Sequence, residues 1–169
     1  MITVRLATPD DAPELVRLRA LMFAAMAVAD GREPEPEGPA EWHAVAEREL
    51  RGRLAAAPVT MPAFVVDDPG RPGRLASCAV GTLERRLPAP GHPDGLFGFV
   101  FNISTDPGHR RHGYARACTE ALLAWFDAHR ATRIDLHATT DGQDLYRSLG
   151  FHEHSVALSR TRLHQAAES

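Results

Sequence analysis

Leu96 to Thr105 reads as a strand, and after a short turn Gly113 to Arg130 reads as a long helix. No other feature narrows the fold as much. In the first stretch Phe97, Phe99, Phe101 and Ile103 fall on one face, with Val100, Asn102 and Ser104 on the other. In the second, Tyr114, Cys118, Ala121, Leu122, Trp125 and Phe126 recur at helical spacing and form one apolar stripe. A strand that feeds directly into such a helix must lay the helix against a sheet, which calls for a mixed α/β architecture.

The rest of the chain supplies the other layers. Ile2, Val4 and Leu6 alternate with Thr3 and Arg5 as a short strand. Thr8-Pro9-Asp10-Asp11 then has a helix start's chemistry: a capping Thr, Pro at the first helical position and an acid three residues on. Leu15, Leu18, Met22 and Met26 continue it as an apolar stripe. A proline-rich loop, Asp30 to Pro39, separates this helix from a second over Glu41 to Leu54, which carries Trp42, Val45, Leu50 and Leu54. Ala63 to Val66 and Leu75 to Leu83 read as a hairpin around the turn-rich Asp67 to Gly73, and Pro88 to Gly95 as a loop. Ile134 to His137 is a strand, Gly142 to Leu149 a short helix ending at Gly150, and Phe151 to Leu158 a final strand. The expectation is a central, mostly antiparallel mixed sheet flanked by helices, in one domain spanning residues 1–169.

Several classes lose ground. The net charge is −3, and all 19 basic residues are Arg, so the overall basic excess of nucleic-acid binders is missing. The longest apolar run, Ala20 to Ala29, is about half a membrane span. Met1 to Leu6 lacks the apolar segment of a secretory signal, so a soluble cytoplasmic protein is expected. Cys78 and Cys118 give neither a disulfide framework nor metal-type spacing. His152 and His154 share a face of the expected last strand without a third ligand, so no metal is expected. G-x-S-x-G and H-E-x-x-H are both absent.

The informative segment runs from Phe101 to Arg116. A helix N-terminus offers unpaired N–H groups and a positive dipole end, which together bind phosphate. Gly113 and Ala115 allow close approach, and Arg110, Arg111 and Arg116 add fixed charge. A pyrophosphate cradle is one reading; an ordinary basic loop is the other. Neither common nucleotide loop is present, since one requires Lys and G-x-G-x-x-G follows no expected strand.

Arg110-Arg111-His112-Gly113-Tyr114-Ala115 resembles the acyl-CoA motif [QR]-x-x-G-x-[GA] of the GNAT superfamily of N-acetyltransferases. Leu145-Tyr146-Arg147-Ser148-Leu149-Gly150-Phe151 is similar to that family's second motif, and the first strand and helix match its opening. The resemblance implies a sheet in which the strand before the motif splays from its neighbour, so that the backbone of Ile103 and Thr105 pairs with pantetheine amides. It implies that backbone amides from Arg111 through His112, Gly113 and Tyr114 to Ala115 hold the pyrophosphate while Arg110 braces the turn. Tyr146 would be the general acid that protonates the departing CoA thiolate; a helix tyrosine packing by its ring is the alternative. The co-substrate would be acetyl-CoA, the acceptor a small-molecule or peptide amine, with homodimers common in the family.

Two positions depart from the family pattern. Where many members carry Asn seven positions before the Tyr, this chain has Thr139, with Gln143 as another polar candidate. Where many place a Glu on the strand before the motif, Leu96 to Thr105 has no acid, leaving water, Glu84 or His43 to take the amine's proton. Trp42, Met22, Phe23 and Met26 either line an acceptor pocket or pack the core. Two functions follow: acetyl transfer to a primary amine by direct attack in a ternary complex, or a non-catalytic acyl-CoA-binding module.

Overall fold

Apolar side chains alternate along the central strands so that both faces of one sheet need cover, and helices from opposite ends of the chain provide it. The computed structural model describes residues 1–35, 40–156 and 158–161. Its sheet has five strands in the order β1 (Arg5–Leu6), β2 (Ala63–Asp67), β3 (Leu75–Arg85), β4 (Leu96–Thr105) and β5 (Arg133–Leu136). The first four pair antiparallel and β5 joins β4 in parallel. Helices α1 (Ala12–Ala29) and α2 (Glu41–Leu54) lie on the face where Ala63, Val65, Cys78 and Val80 form a core with Leu15 and Leu18. Helix α3 (Tyr114–Ala128) covers the other, through Cys118, Leu122 and Phe126 against Ala76, Ala79 and Val100. A short α4 (Gln143–Ser148) follows β5.

The entry into α1 forms as its sequence dictates. The Thr8 N–H donates to the Asp11 carboxylate at 2.7 Å across a 3-10 turn, Pro9–Asp11. Asp11 and Asp67 both accept from Arg5, tying this turn to β1 and β2. The buried stripe, however, is Ala12, Leu15, Val16, Leu18 and Ala27; Met22 and Met26 are only partly buried and Phe23 is exposed. The core shared with the strands takes Leu15, Leu18 and Leu21 from α1.

Phe126 is fully buried, and two glycines make its seat. A Cβ at Gly81 would lie 2.8 Å from the Phe126 ring, and one at Gly98 would lie 3.0 Å from it. Burying a Phe side chain contributes about 1.5–3 kcal/mol, so this contact holds α3 close to β3 and β4.

β4 contains the main irregularity. Val80 pairs with Asn102 but Gly81 pairs with Val100, so Phe101 is an extra residue. Such a bulge turns two successive side chains to one side. Phe101 and Asn102 accordingly both face α1, whereas Ile103 joins Val100 on the α3 face. The simple alternation expected from sequence therefore fails at Phe101.

The expected last strand, Phe151 to Leu158, is also not formed. Residues 151–156 and Leu158 have no strand pairing, and Val156 is 85% exposed; Ala157 lies outside the described residues, as do residues 36–39 of the first loop. β5 offers only four partly buried residues as a partner, and His152, Glu153, His154 and Ser155 would bury little on it.

Arg17 clasps α1 to the segment after β4. It donates to Glu14 at 2.8 Å, to Asp106 at 2.7 Å and to the Leu75 carbonyl at 2.8 Å. Burial pushes the Glu14 carboxyl up, but Arg17 and the Leu75 N–H outweigh it and hold it below the ordinary range. Asp106 is depressed for the same reasons, with the Gly108 N–H and Arg17 overcoming burial. Depressed carboxyls stabilise the fold above their unfolded value, near 4, and that stability is lost as pH falls through the folded value. Arg17→Met should therefore cost about 1–3 kcal/mol at pH 7 and less at pH 3, read from urea midpoints. An equal loss at both pH values would show that the clasp is not ionic.

Candidate active site

The turn between β4 and α3 is built by its own side chains and two unusual backbone angles. The Asp106 carboxylate accepts from the Gly108 N–H at 3.2 Å and starts a 3-10 turn, Pro107–His109. Arg110 is extended, Arg111 has φ of 65°, and Gly113 has φ of 79° as the residue capping α3. Left-handed residues within a turn direct successive N–H groups into one concavity, the geometry that binds anions. Among the described residues, no oxygen accepts from the N–H groups of Arg111, His112, Gly113, Tyr114 or Ala115. Those of Tyr114 and Ala115 are orphan donors of the first helical turn.

Side chains brace this loop. His112 Nδ1–H donates to the Arg110 carbonyl at 2.8 Å, and its ring stacks on Tyr114 at 5.7 Å. His109 Nε2 lies 3.0 Å from Asp68, which joins the loop to the β2–β3 hairpin. Arg110 and Arg111 have no carboxylate within 4.0 Å among the described residues. Their charge is free for an anion.

Beside the loop the sheet opens. β4 pairs with β5 only from Phe97 to Val100, and among the described residues its last five have no partner on that edge. The Asp106 N–H donates to the Ala76 carbonyl at 2.8 Å, so ladder alternation turns the amide groups of Ile103 and Thr105 away from β3. The Thr105 hydroxyl is engaged with Ser77 at 2.8 Å.

Tyr146 sits on α4, and α4 is fastened to the motif helix. Arg116 in the first turn of α3 donates to the Ser148 hydroxyl at 2.6 Å, and Ser148 donates to the Leu145 carbonyl at 2.6 Å. The Tyr146 ring packs 6.2 Å from Phe151 and closely over Gly142, where a Cβ would lie 2.8 Å from it. Its hydroxyl bonds no described residue, and burial pushes the phenol above its ordinary value. Thr139 is exposed with no side-chain cap bond, while Gln143 is partly buried at the start of α4.

On the α1/α2 face, β4 presents Phe101 and Asn102. Arg19 donates to the Asn102 side-chain oxygen at 3.3 Å, and Asn102 donates to Cys78 Sγ at 3.4 Å. Phe23 meets Trp42 edge-on at 5.8 Å, and Trp42 meets His43 at 4.2 Å. Glu84 is on this face too, paired with Arg86 at 2.6 Å. Sequence reading missed Arg19; its spacing of four from Phe23 on the helix was the available signal. Both cysteines are buried, and burial pushes each thiol up to about 12. No group of three or more metal-ligating side chains occurs among the described residues.

The sheet order, the splayed β4 and the loop leading into α3 define an acetyltransferase-type α/β fold, and solved structures share it. A predicted acetyltransferase of Clostridium acetobutylicum, in a structure with acetyl-CoA, superposes with a TM-score of 0.75 at 20% identity, covering 95% of this chain and 96% of its own. A GCN5-related N-acetyltransferase of Ralstonia eutropha JMP134 gives 0.72 at 23% identity, covering 95% and 99%. The aminoglycoside N-acetyltransferase AAC(6')-Iy, in complex with CoA, gives 0.68 at 16% identity, covering 96% of each chain. The acetyltransferase (GNAT) family model matches residues 25–151, and the chain belongs to that family. No curated protein matches it. No helix among the described residues is long and apolar enough to cross a membrane.

Proposed function

We propose that this protein moves an acetyl group from acetyl-CoA to a primary amine by direct attack in a ternary complex. The observation that carries the reading is the row of free amides from Arg111 to Ala115, which opens next to the unpaired edge of β4. In this reading the pyrophosphate rests on those amides, with Arg110 and Arg111 supplying charge. The pantetheine runs along Ile103 and Thr105 as an added strand. The amine nitrogen attacks the thioester carbonyl, the carbon–sulfur bond breaks, and Tyr146 gives its proton to the leaving thiolate. The amine's own proton leaves to water. Family membership and the acetyl-CoA and CoA complexes among similar structures support the cofactor.

Holding amine and thioester together supplies much of the rate, and general acid help adds roughly 10²–10⁴-fold. An acyl-enzyme is disfavoured because both cysteines are buried with thiols raised to about 12, far from the thiolate form. Thiol release from acetyl-CoA across an amine panel, beside a no-amine control, tests the proposal. Release that depends on the amine is expected. Acetyl-CoA binding with no such release would establish the non-catalytic acyl-CoA-binding reading instead.

A further inference from the structure

We infer that Arg19 selects an acceptor amine that carries an oxyanion, a carboxylate or a phosphate; this rests on the acetyl-transfer reading of the site. Arg19 is partly buried on the α1/α2 face, with its guanidinium 4.6 Å from the Phe23 ring centre and 5.6 Å from that of Phe101. Two other arginines in comparable settings are saturated. Arg5 holds Asp11 and Asp67, and Arg17 holds Glu14 and Asp106. Arg19 has no carboxylate within 4.0 Å among the described residues, and its one side-chain bond goes to the neutral Asn102 oxygen at 3.3 Å.

A guanidinium has five donors in a fixed fork, and it stays charged at any physiological pH. Two rings and one long bond engage only part of that fork, which leaves donors open to an anion. Burial lowers its proton affinity, in keeping with that lack of compensation. The fork matches a carboxylate or phosphate edge.

The position suits an acceptor. Arg19 meets β4 at the bulge, and the next residue, Ile103, borders the open strand edge. Phe23, Phe101 and Trp42 would wall the molecule's apolar part, and Asn102 would hold the fork in place. An amine held by its oxyanion here would be anchored one residue along the strand from the edge proposed for pantetheine.

The test measures binding by calorimetry on CoA-saturated protein, alongside thiol release. L-amino acids are compared with their carboxamides, and phosphoethanolamine with ethanolamine. The wild type should prefer the oxyanion partner of at least one pair, and Arg19→Met should erase that preference through a loss of about 10–100-fold, the size of a charge-assisted bond. Arg19→Lys should restore part of it, and both variants should keep wild-type CoA affinity. Which pair responds identifies carboxylate or phosphate. Equal affinity within both pairs, or a preference that survives in Arg19→Met, overturns the inference. Thiol release with neutral amines only would leave acetyl transfer standing without the Arg19 role. Arg19-dependent binding with no thiol release from any amine would do the reverse.

Discussion

Tyr146→Phe should lower turnover by about 10²–10⁴-fold and leave CoA affinity nearly unchanged. The ring's packing against Phe151 and Gly142 survives the change, so only the unpartnered hydroxyl is lost. A phenol can protonate a thiolate because their ordinary pKa values, about 10 and about 8.5, are close. Burial pushes the Tyr146 phenol higher still, which keeps it protonated through neutral pH. Turnover in the wild type should therefore stay flat on this account and fall only above about pH 10. The Phe variant's residual rate should lack that alkaline fall. Equal turnover in the two proteins would remove Tyr146 as the acid and leave it as a packing residue.

Gly113→Val should reduce CoA binding below detection, a loss of at least about 100-fold, and the cause is conformational. A Cβ at this position meets nothing nearer than Ile2 at 3.5 Å, an ordinary contact. The φ of 79° is the obstacle, since a β-branched residue in the left-handed region costs about 1–3 kcal/mol. The loop would escape that strain by rotating the Gly113 and Tyr114 amides out of the concavity. Valine's bulk would also stand where the pyrophosphate must approach. Arg111→Ala makes the contrast: it removes one exposed charge, leaves the amides in place and should weaken CoA by only about 3–10-fold. Calorimetry showing wild-type CoA affinity in the valine variant would refute the cradle.

Local chemistry carried far into this fold. The bounds of α2 and β4 follow from periodicity alone, and the Thr8–Asp11 pairing follows from capping geometry. The left-handed backbone at Gly113 falls on the one residue type that adopts it without strain. What pattern reading could not supply depended on partners elsewhere in the chain. Alternation along β4 assumes an unbroken ladder, and the register shift opposite Val80 and Gly81 is visible only once β3 is beside it. Phe151 to Leu158 places only Val156 and Leu158 at strand spacing after four polar residues, and β5 gives it a short edge. Met22 and Met26 match the α1 stripe, yet the core shared with the strands takes its α1 residues from Leu15 to Leu21. Arg19 looks like one more surface arginine until Phe101 and Asn102 are brought to it from across the sheet.

The extra residue in β4 shifts the parity of the strand between its two ends. Before it, odd-numbered positions face α1; after it, even-numbered ones do. Removing Phe101 would leave an unbroken ladder in which Val100 still meets Gly81 and Asn102 still meets Val80, so every other side chain would keep its face. What would go is the Phe101 ring beside Arg19, together with the bend that a bulge adds to its strand. One inserted residue thus adds a ring to the α1 face without disturbing the strand end that borders the loop.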